Sequence, residues 1–226
     1  MARKFVAEGA QVLIADRDEA AANRVAEALG AKAIRVDVAV AADVHAAIEA
    51  ACAHFGGLDI LVNNAGIGHT PQLLKYLAEA EFDRILAVNV KSICLAAKEV
   101  VPRLKLQKRG VILNIASAAS VSPRPGLAWC DASKCWVIAA TRAMAVELAP
   151  FGVRVVALNR VAGETPLLKT FMGEDTPEVR VKFLASIPIG RFSTPEDMGN
   201  AACFLCSDER STITGVAMEV DAGRCI

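Results

Sequence analysis

Short apolar runs alternate with longer amphipathic stretches along this chain, and the alternation restricts its fold more than any other feature of the sequence. The apolar runs are rich in β-branched residues and predict strands that are buried on both faces. They lie at 11–16, 31–38, 58–66 and 153–159. The stretches at 19–29 and 41–55 predict helices between them. The sequence therefore predicts an α/β fold, a doubly wound parallel sheet in a single domain spanning residues 1–226.

A polar residue stands at the end of each predicted strand. These residues are Asp16, Asp37, Asn63, Asn64, Ser117, Asn159 and Asp221. In doubly wound sheets the ligand lies beyond the carboxyl ends of the strands, where such side chains converge. Taken singly, each of them is more often a turn residue than a ligand contact. Together they predict a nucleotide site at this edge of the sheet.

The overall charge gives no reason to expect a nucleic acid or an anionic membrane as partner, because the formal net charge is zero and the pI is about 6.8. No apolar run approaches the roughly 18 residues that cross a bilayer. The first ten residues lack the apolar centre of a signal peptide. We therefore expect a cytoplasmic protein that acts on a small molecule.

The cysteines do not indicate a disulfide framework, since their number is odd, seven, and the expected compartment is reducing. Cys203 and Cys206 form a Cys-x-x-Cys pair inside an apolar run, and core packing explains them better than a metal or redox site. No carboxylate or imidazole cluster has the spacing of metal ligands, so no metal site is predicted.

The segment 110–136 carries the strongest functional signal. An apolar run ends at Ser117, a loop rich in proline and serine follows, and a helical pattern then begins with Lys134 near its start. A hydroxyl at the end of a strand can bond a substrate oxygen, and a nearby lysine supplies positive charge to a proton-transfer chain. Such a pair is suited to chemistry at a carbonyl group.

The spacing of Ser117 and Lys134 resembles the active site of the short-chain dehydrogenase/reductase family, in which a tyrosine lies between them. Here that position holds Cys130. The resemblance implies that Ser117 holds the substrate oxygen, that Lys134 holds the nicotinamide ribose and that Asn89 completes the proton relay. A thiol falls short of the reach of the family's tyrosine, and neither Asp131, Ser133 nor Tyr76 is an evident substitute.

The resemblance also implies a Rossmann-type fold and a dinucleotide cofactor. The matching cofactor-binding positions are Asp16, Arg17, Asp37, Val38, Asn64, Ala65, Gly66, Lys134, Val161 and Thr165. Asp16 favours NAD because a carboxylate accepts from the ribose hydroxyls, whereas Arg17 leaves NADP possible. Arg160 stands where the family usually has a proline beside the nicotinamide. His69 could contact a substrate, and residues 166–188 match the mobile substrate lid.

The family's first strand and its TGxxxGxG loop have no counterpart in this sequence. Residues 2–9 instead match the last turns of the helix that follows that loop. We therefore expect that the domain is N-terminally incomplete and that the first strand of the fold is missing. The strands at 11–16 and 58–66 should then each have an unpaired edge.

Three functions remain open. The first is an oxidoreductase that moves a hydride between NAD(P) and a small alcohol or carbonyl substrate, with activity weakened by Cys130. The second is a non-catalytic relative that acts as a binding or oligomer subunit. The third makes Cys130 a nucleophile. The helical patterns at 79–106 and 128–149 match those that build homo-oligomers in the family, a tetramer or a dimer.

Overall fold

The computed structural model describes residues 1–163 and 166–226, and their strands run parallel wherever they pair. The strands are β1 (Leu13–Asp16), β2 (Lys32–Arg35), β3 (Ile60–Asn63), β4 (Gly110–Ser117), β5 (Val153–Arg160) and β6 (Ala217–Val220). They form a two-stranded sheet of order β1-β2 and a four-stranded sheet of order β3-β4-β5-β6. The predicted α/β fold is confirmed.

Helices connect the strands. They are α1 (Ala2–Ala7), α2 (Glu19–Leu29), α3 (Ala41–Phe55), α4 (Glu79–Leu86), α5 (Ser92–Gln107), α6 (Ala128–Leu148), α7 (Pro166–Met172), α8 (Pro177–Leu184) and α9 (Pro195–Cys206). A π-helical segment, Ala87–Lys91, joins α4 to α5, where the sequence predicts one continuous helix. Asp18 caps α2 by accepting from the Ala21 amide at 2.8 Å, and Thr194 begins α9 with a capping box.

The core lies on both faces of the four-stranded sheet. Leu113 and Leu158 belong to the cluster on the face covered by α1 and α9. Ile112 and Val155 lie an odd number of residues from these leucines in the same strands, so they point the other way and pack against α5 and α6. This alternation is why both faces of the central strands are apolar. Cys203 and Cys206 pack with the first cluster, which confirms their structural role.

One edge of β1 and one edge of β3 carry no strand pairing within the part of the chain that the structure describes. β1 pairs with β2 over four residues, and β3 pairs with β4 over four residues. Val12 and Val62 nevertheless contact the same apolar cluster. The two sheets are therefore joined by side-chain packing and not by a hydrogen-bonded ladder.

None of the helices in the described residues is long and apolar enough to cross a membrane. Groups of three or more potential metal ligands are also absent from these residues. On the outer surface, α5 exposes Leu106 and α6 exposes Trp136 and Val146. The homo-oligomer expected through these helices stays a prediction.

Candidate active site

A cleft opens at the carboxyl ends of β3, β4 and β5, and its cavity volume is about 70 Å³. It brings together residues that are far apart in the sequence. Six of the predicted site residues line it: Asn64, Gly66, Ser117, Cys130, Lys134 and Val161. Parallel strands place their carboxyl ends at one edge of the sheet, which explains the convergence.

Ser117 is the last residue of β4. Its Oγ accepts a hydrogen bond from the Ala119 amide at 3.1 Å and so begins the turn that follows the strand. The side chain is half-buried and lines the cleft. Because this bond uses only an oxygen lone pair, the hydroxyl hydrogen remains available to a ligand oxygen.

A chain of buried polar side chains fixes α6, which carries Lys134, against the sheet. Asn63 donates through Nδ2 to Oδ1 of Asn114 at 2.8 Å. Asn114 in turn donates through Nδ2 to Oγ1 of Thr141, on α6, at 2.9 Å. Asn114 and Thr141 are fully buried, so breaking either bond would leave an unpaired polar group in the core. The position of α6 is thereby tied to the middle of β4.

Lys134 lies one turn after Cys130 on α6, and its Nζ donates to the carbonyl oxygen of Ile115 at 2.8 Å. Burial lowers the pKa of this ammonium from 10.5 to about 8. The neighbouring Cys130 opposes the shift, and the positive charge of Arg160 adds to it. A lysine held this way exists in both protonation states near neutral pH, which suits proton transfer.

Cys130 is buried, and its Sγ lies 3.7 Å from the carbonyl oxygen of Ile67. Burial raises the pKa of the thiol to about 11, an effect that Asp131 increases and that Lys134 and Arg124 oppose. The thiol is therefore neutral at physiological pH. A nucleophilic thiolate requires a shift in the other direction.

Asn89 lies in the π-helical segment and is almost fully buried. Its Oδ1 accepts from the Ile67 amide at 2.9 Å, while Nδ2 donates to the Ile67 carbonyl at 3.0 Å and to Oγ of Ser133 at 2.9 Å. These bonds tie the loop after β3 to α6. A Cβ added at Gly66 would lie 3.2 Å from Nζ of Lys134 and 3.5 Å from Oδ1 of Asn89, so glycine leaves room beside both groups.

Of the residues predicted to bind the adenosine half, Asn64 lines this cleft, whereas Asp16, Asp37, Val38 and Ala65 do not. Asp16 ends β1, is exposed, and its Oδ1 accepts from the Asp18 amide at 3.0 Å, with Arg17 exposed beside it. Asp37 follows β2 and accepts from the Ala39 amide at 2.9 Å, with Val38 inside that turn. Ala65 is exposed after β3. Thr165 lies outside the described residues.

Sequence reasoning missed two arginines and an aspartate that line the cleft. They are Arg124, Arg160 and Asp131. The sequence analysis treats Arg160 only as a replacement for a proline, and Asp131 only as a residue that does not replace the tyrosine. In the structure the Asp131 carboxylate accepts from the Arg124 amide at 3.1 Å. The signal for Arg124 was its place between two prolines in the loop after Ser117.

Helix α7 covers one side of the cleft through Leu168 and Phe171. The Phe171 ring lies so close to Gly68 that a Cβ there would be 2.4 Å from a ring carbon. His69 is buried, with Nδ1 2.8 Å from the Thr70 carbonyl oxygen, and its contact with a substrate stays a prediction. Tyr76 is 63% exposed and is not among the residues that line the cleft.

Comparisons with known proteins give one consistent family. Residues 1–224 match the family described as enoyl-(acyl carrier protein) reductase. The chain is 44% identical to 4-formylbenzenesulfonate dehydrogenase TsaC1/TsaC2 of Comamonas testosteroni, over all of the chain and 92% of that protein. It is 39% identical to inactive 2-(S)-hydroxypropyl-CoM dehydrogenase 2 of Xanthobacter autotrophicus, over 99% of the chain and 98% of that protein.

Among solved structures, the chain is similar to 3-ketoacyl-(acyl-carrier-protein) reductase from Brucella melitensis complexed with NADH. The TM-score is 0.95 and the sequences are 51% identical. The match covers all of this chain and 92% of the other. Both the fold and the sequence therefore point to the same group of oxidoreductases.

Proposed function

The chain belongs to the short-chain dehydrogenase/reductase family. We propose that it transfers a hydride between NAD and an alcohol or carbonyl group. The proposed reaction is slow, because Cys130 takes the place of the proton-transferring tyrosine. The observation that supports this most is the convergence of Ser117, Cys130 and Lys134 on one cleft. Relatives of this chain are named dehydrogenases and reductases, and one solved relative is complexed with NADH.

The residues present fit a nicotinamide dinucleotide. Gly66 leaves the space beside Lys134 free of a side chain. Asp16 offers an exposed carboxylate at the end of β1, which can accept from ribose hydroxyls and repels a 2′-phosphate. We therefore propose NAD over NADP, with Asp37, Val38, Asn64 and Ala65 on the adenosine side and Val161 and Thr165 near the nicotinamide.

The nicotinamide, when bound, exchanges the hydride with the substrate carbon. Ser117 donates its hydroxyl hydrogen to the substrate oxygen and stabilises negative charge there. Lys134 would hold the ribose hydroxyls of a bound nicotinamide nucleotide and would pass the proton to or from solvent. Asn89 keeps the Ile67 loop and α6 in register, so that these groups stay in place. The neutral thiol of Cys130 lies against Ile67 and supplies no efficient general acid or base.

The substitution Cys130→Tyr tests this function. Restoring a general acid–base group beside Lys134 should raise the rate of NADH oxidation by roughly 10²–10⁴-fold, using a panel of aldehydes and ketones. The matched control is Cys135→Tyr, which places the same ring at an exposed position of α6 and should leave the rate unchanged. Calorimetric titration with NADH and NADPH accompanies both variants and tests the preference for NAD.

A folded Cys130→Tyr variant that binds NADH but turns over no substrate would contradict the proposal. That result would favour the second candidate, a non-catalytic binding or oligomer subunit. The observation in its favour is the buried, neutral thiol at position 130. A relative that is 39% identical carries the description "inactive" in its name, so loss of activity has a precedent among similar proteins.

A further inference from the structure

We propose that the cleft binds substrates that carry an anionic group, a carboxylate or a sulfonate, through Arg124 and Arg160. This deepens the proposed function, on which it rests, by naming a class of substrate. The described residues that line the cleft include three basic side chains, Arg124, Lys134 and Arg160, and one acidic side chain, Asp131. Among these described residues, positive charge therefore exceeds negative charge at the place where the substrate is expected.

Neither arginine has a carboxylate partner among the described residues. Other arginines of the chain do, such as Arg103 with Glu49, Arg109 with Asp59 and Arg191 with Asp197. The buried Arg154 is satisfied differently, by donating to the carbonyl oxygens of Leu205, Ile213 and Ser207. Half-buried guanidinium groups without such partners are costly, and a bound anion would offset that cost.

The guanidinium of Arg124 contacts an aromatic ring at the cleft, and the nearby negative charge of Asp131 raises its pKa against the effect of burial. Its guanidinium lies 4.5 Å from the centre of the Phe183 ring, a cation–π contact that leaves the N–H groups free to donate. Asp131 bonds the backbone amide of Arg124, and no ion pair joins it to the guanidinium. Burial lowers the pKa of Arg124, yet an arginine remains charged at neutral pH.

Arg160 is the last residue of β5, and it lies directly opposite Ser117 in the register of β4 and β5. Neighbouring strands are about 4.8 Å apart, so the backbone that carries this cation lies one strand from the hydroxyl expected to hold the substrate oxygen. Its charge also reaches Lys134 and contributes to the lowered pKa of that group. An acidic group attached to the substrate a short distance from its carbonyl would thus meet a guanidinium.

The geometry of a guanidinium selects the class of anion. Its planar N–H donors pair with two oxygens at once, which suits carboxylates and sulfonates. A relative that is 44% identical is named for a sulfonate-bearing aldehyde, 4-formylbenzenesulfonate. The pyrophosphate of the cofactor is a second anion that the arginines could bind. The titrations below therefore measure the affinity for NADH separately from the affinity for the anionic probes.

The experiment measures binding first, so that it does not depend on turnover. Calorimetric titration of the 226-residue chain, with and without saturating NADH, uses 4-formylbenzenesulfonate, 4-formylbenzoate and neutral benzaldehyde as probes. The two anions should bind at least roughly tenfold more tightly than benzaldehyde, because charge-assisted bonds to buried guanidinium groups are strong. Equal affinity for all three probes would overturn the proposal.

Variants then assign the effect to the two arginines. Arg124→Gln and Arg160→Gln should each weaken binding of the anionic probes by roughly tenfold and leave benzaldehyde unchanged. Arg142→Gln removes an exposed arginine of α6 outside the cleft and serves as the matched control. If the two cleft variants keep full discrimination, the arginines do not bind the anion. If they weaken NADH instead of the probes, the arginines serve the cofactor and the substrate assignment is wrong.

A rate measurement separates this proposal from the proposed function. The Cys130→Tyr variant is assayed with the same three probes and NADH. Discriminating binding without turnover would retain the anion site and refute the oxidoreductase. Turnover of benzaldehyde with the same specificity constant as the anions would retain the oxidoreductase and refute the anion site.

Discussion

The two sheets of this protein differ in depth. β4 and β5 are eight residues long, pair along their whole length and are buried at almost every position. β1 and β2 are four residues long and are partly exposed throughout. The deep sheet carries Ser117 and Arg160, whereas the shallow one carries Asp16. Ser117 and Arg160 therefore lie on the most constrained strands of the fold, and Asp16, which is expected to bind the adenosine ribose, lies on the least constrained strand.

The test with the largest expected effect replaces one side chain in each sheet by alanine. Leu113→Ala empties a fully buried position of β4 and should lower the free energy of unfolding by about 3–5 kcal/mol. Ile14→Ala removes a partly exposed side chain of β1 and should cost about 1 kcal/mol. Urea unfolding followed by circular dichroism measures both. Equal losses would mean that the two sheets contribute alike and would remove the contrast.

An intermediate test uses the charge of Lys134, which α6 holds against the four-stranded sheet. The pKa of Lys134 falls from 10.5 in the unfolded chain to about 8 in the folded one. Between these values the unfolded state binds more protons, so stability rises with pH. The free energy of unfolding of the wild type, relative to Lys134→Met, should increase by roughly 1 kcal/mol between about pH 8 and about pH 9. Above that range the neutral thiol of Cys130 acts in the opposite sense.

The control for the pH experiment is Lys98→Met, which removes an exposed lysine from α5. The difference in the free energy of unfolding between this variant and the wild type should stay constant over the same pH range. A level difference for Lys134→Met as well would show that this ammonium is hydrated in the folded protein. The charge of Lys134 would then not distinguish the four-stranded sheet and its helices from the two-stranded sheet.

The smallest test concerns how the helices end. Beside the two-stranded sheet, α2 ends at Gly30 with φ of 64°, a left-handed conformation that glycine adopts without strain. In the deep half, α5 ends at Lys108 with φ of 54°. Lys108→Gly should raise the free energy of unfolding by about 0.5–1 kcal/mol. Lys98→Gly, inside the same helix, should lower it by a similar amount. The same sign for both would mean that the backbone at 108 carries no strain.

Much of the fold follows from local patterns. β-Branched runs separated by helical stretches predict parallel strands, and the polar residues after them predict a crevice. This pattern places Ser117 and Asn64 at one edge of the sheet, whereas Lys134 and Gly66 are assigned to the same site by the resemblance to the family. The apolar run predicts a strand over 11–16, whereas β1 begins at Leu13, because pairing with β2, and not the apolar run itself, decides where that strand begins.

The electrostatics of the site could not be predicted in the same way. The pKa of Lys134 depends on how deeply α6 lies against β4, which the Asn114–Thr141 bond sets across 27 residues of sequence. Arg124 enters the cleft through the path of a loop, and Arg160 through the register of two strands. These are tertiary relations, and hydrophobic periodicity carries no information about them. The π-helical segment could not be predicted either, because its Asn89 accepts a hydrogen bond from Ile67, in the loop after β3.

That segment, Ala87–Lys91, also determines where the chain tolerates a change in length. A π turn holds one residue more than the helix around it, and each residue of an α-helix advances the side chains by about 100°. Deleting one residue here would leave an unbroken helix with all its backbone bonds. It would also rotate Ile85 of α4 relative to Val100 and Leu104 of α5, so that these three fully buried side chains could not all stay buried. This short stretch is therefore closed to deletion even though its hydrogen bonding would survive one.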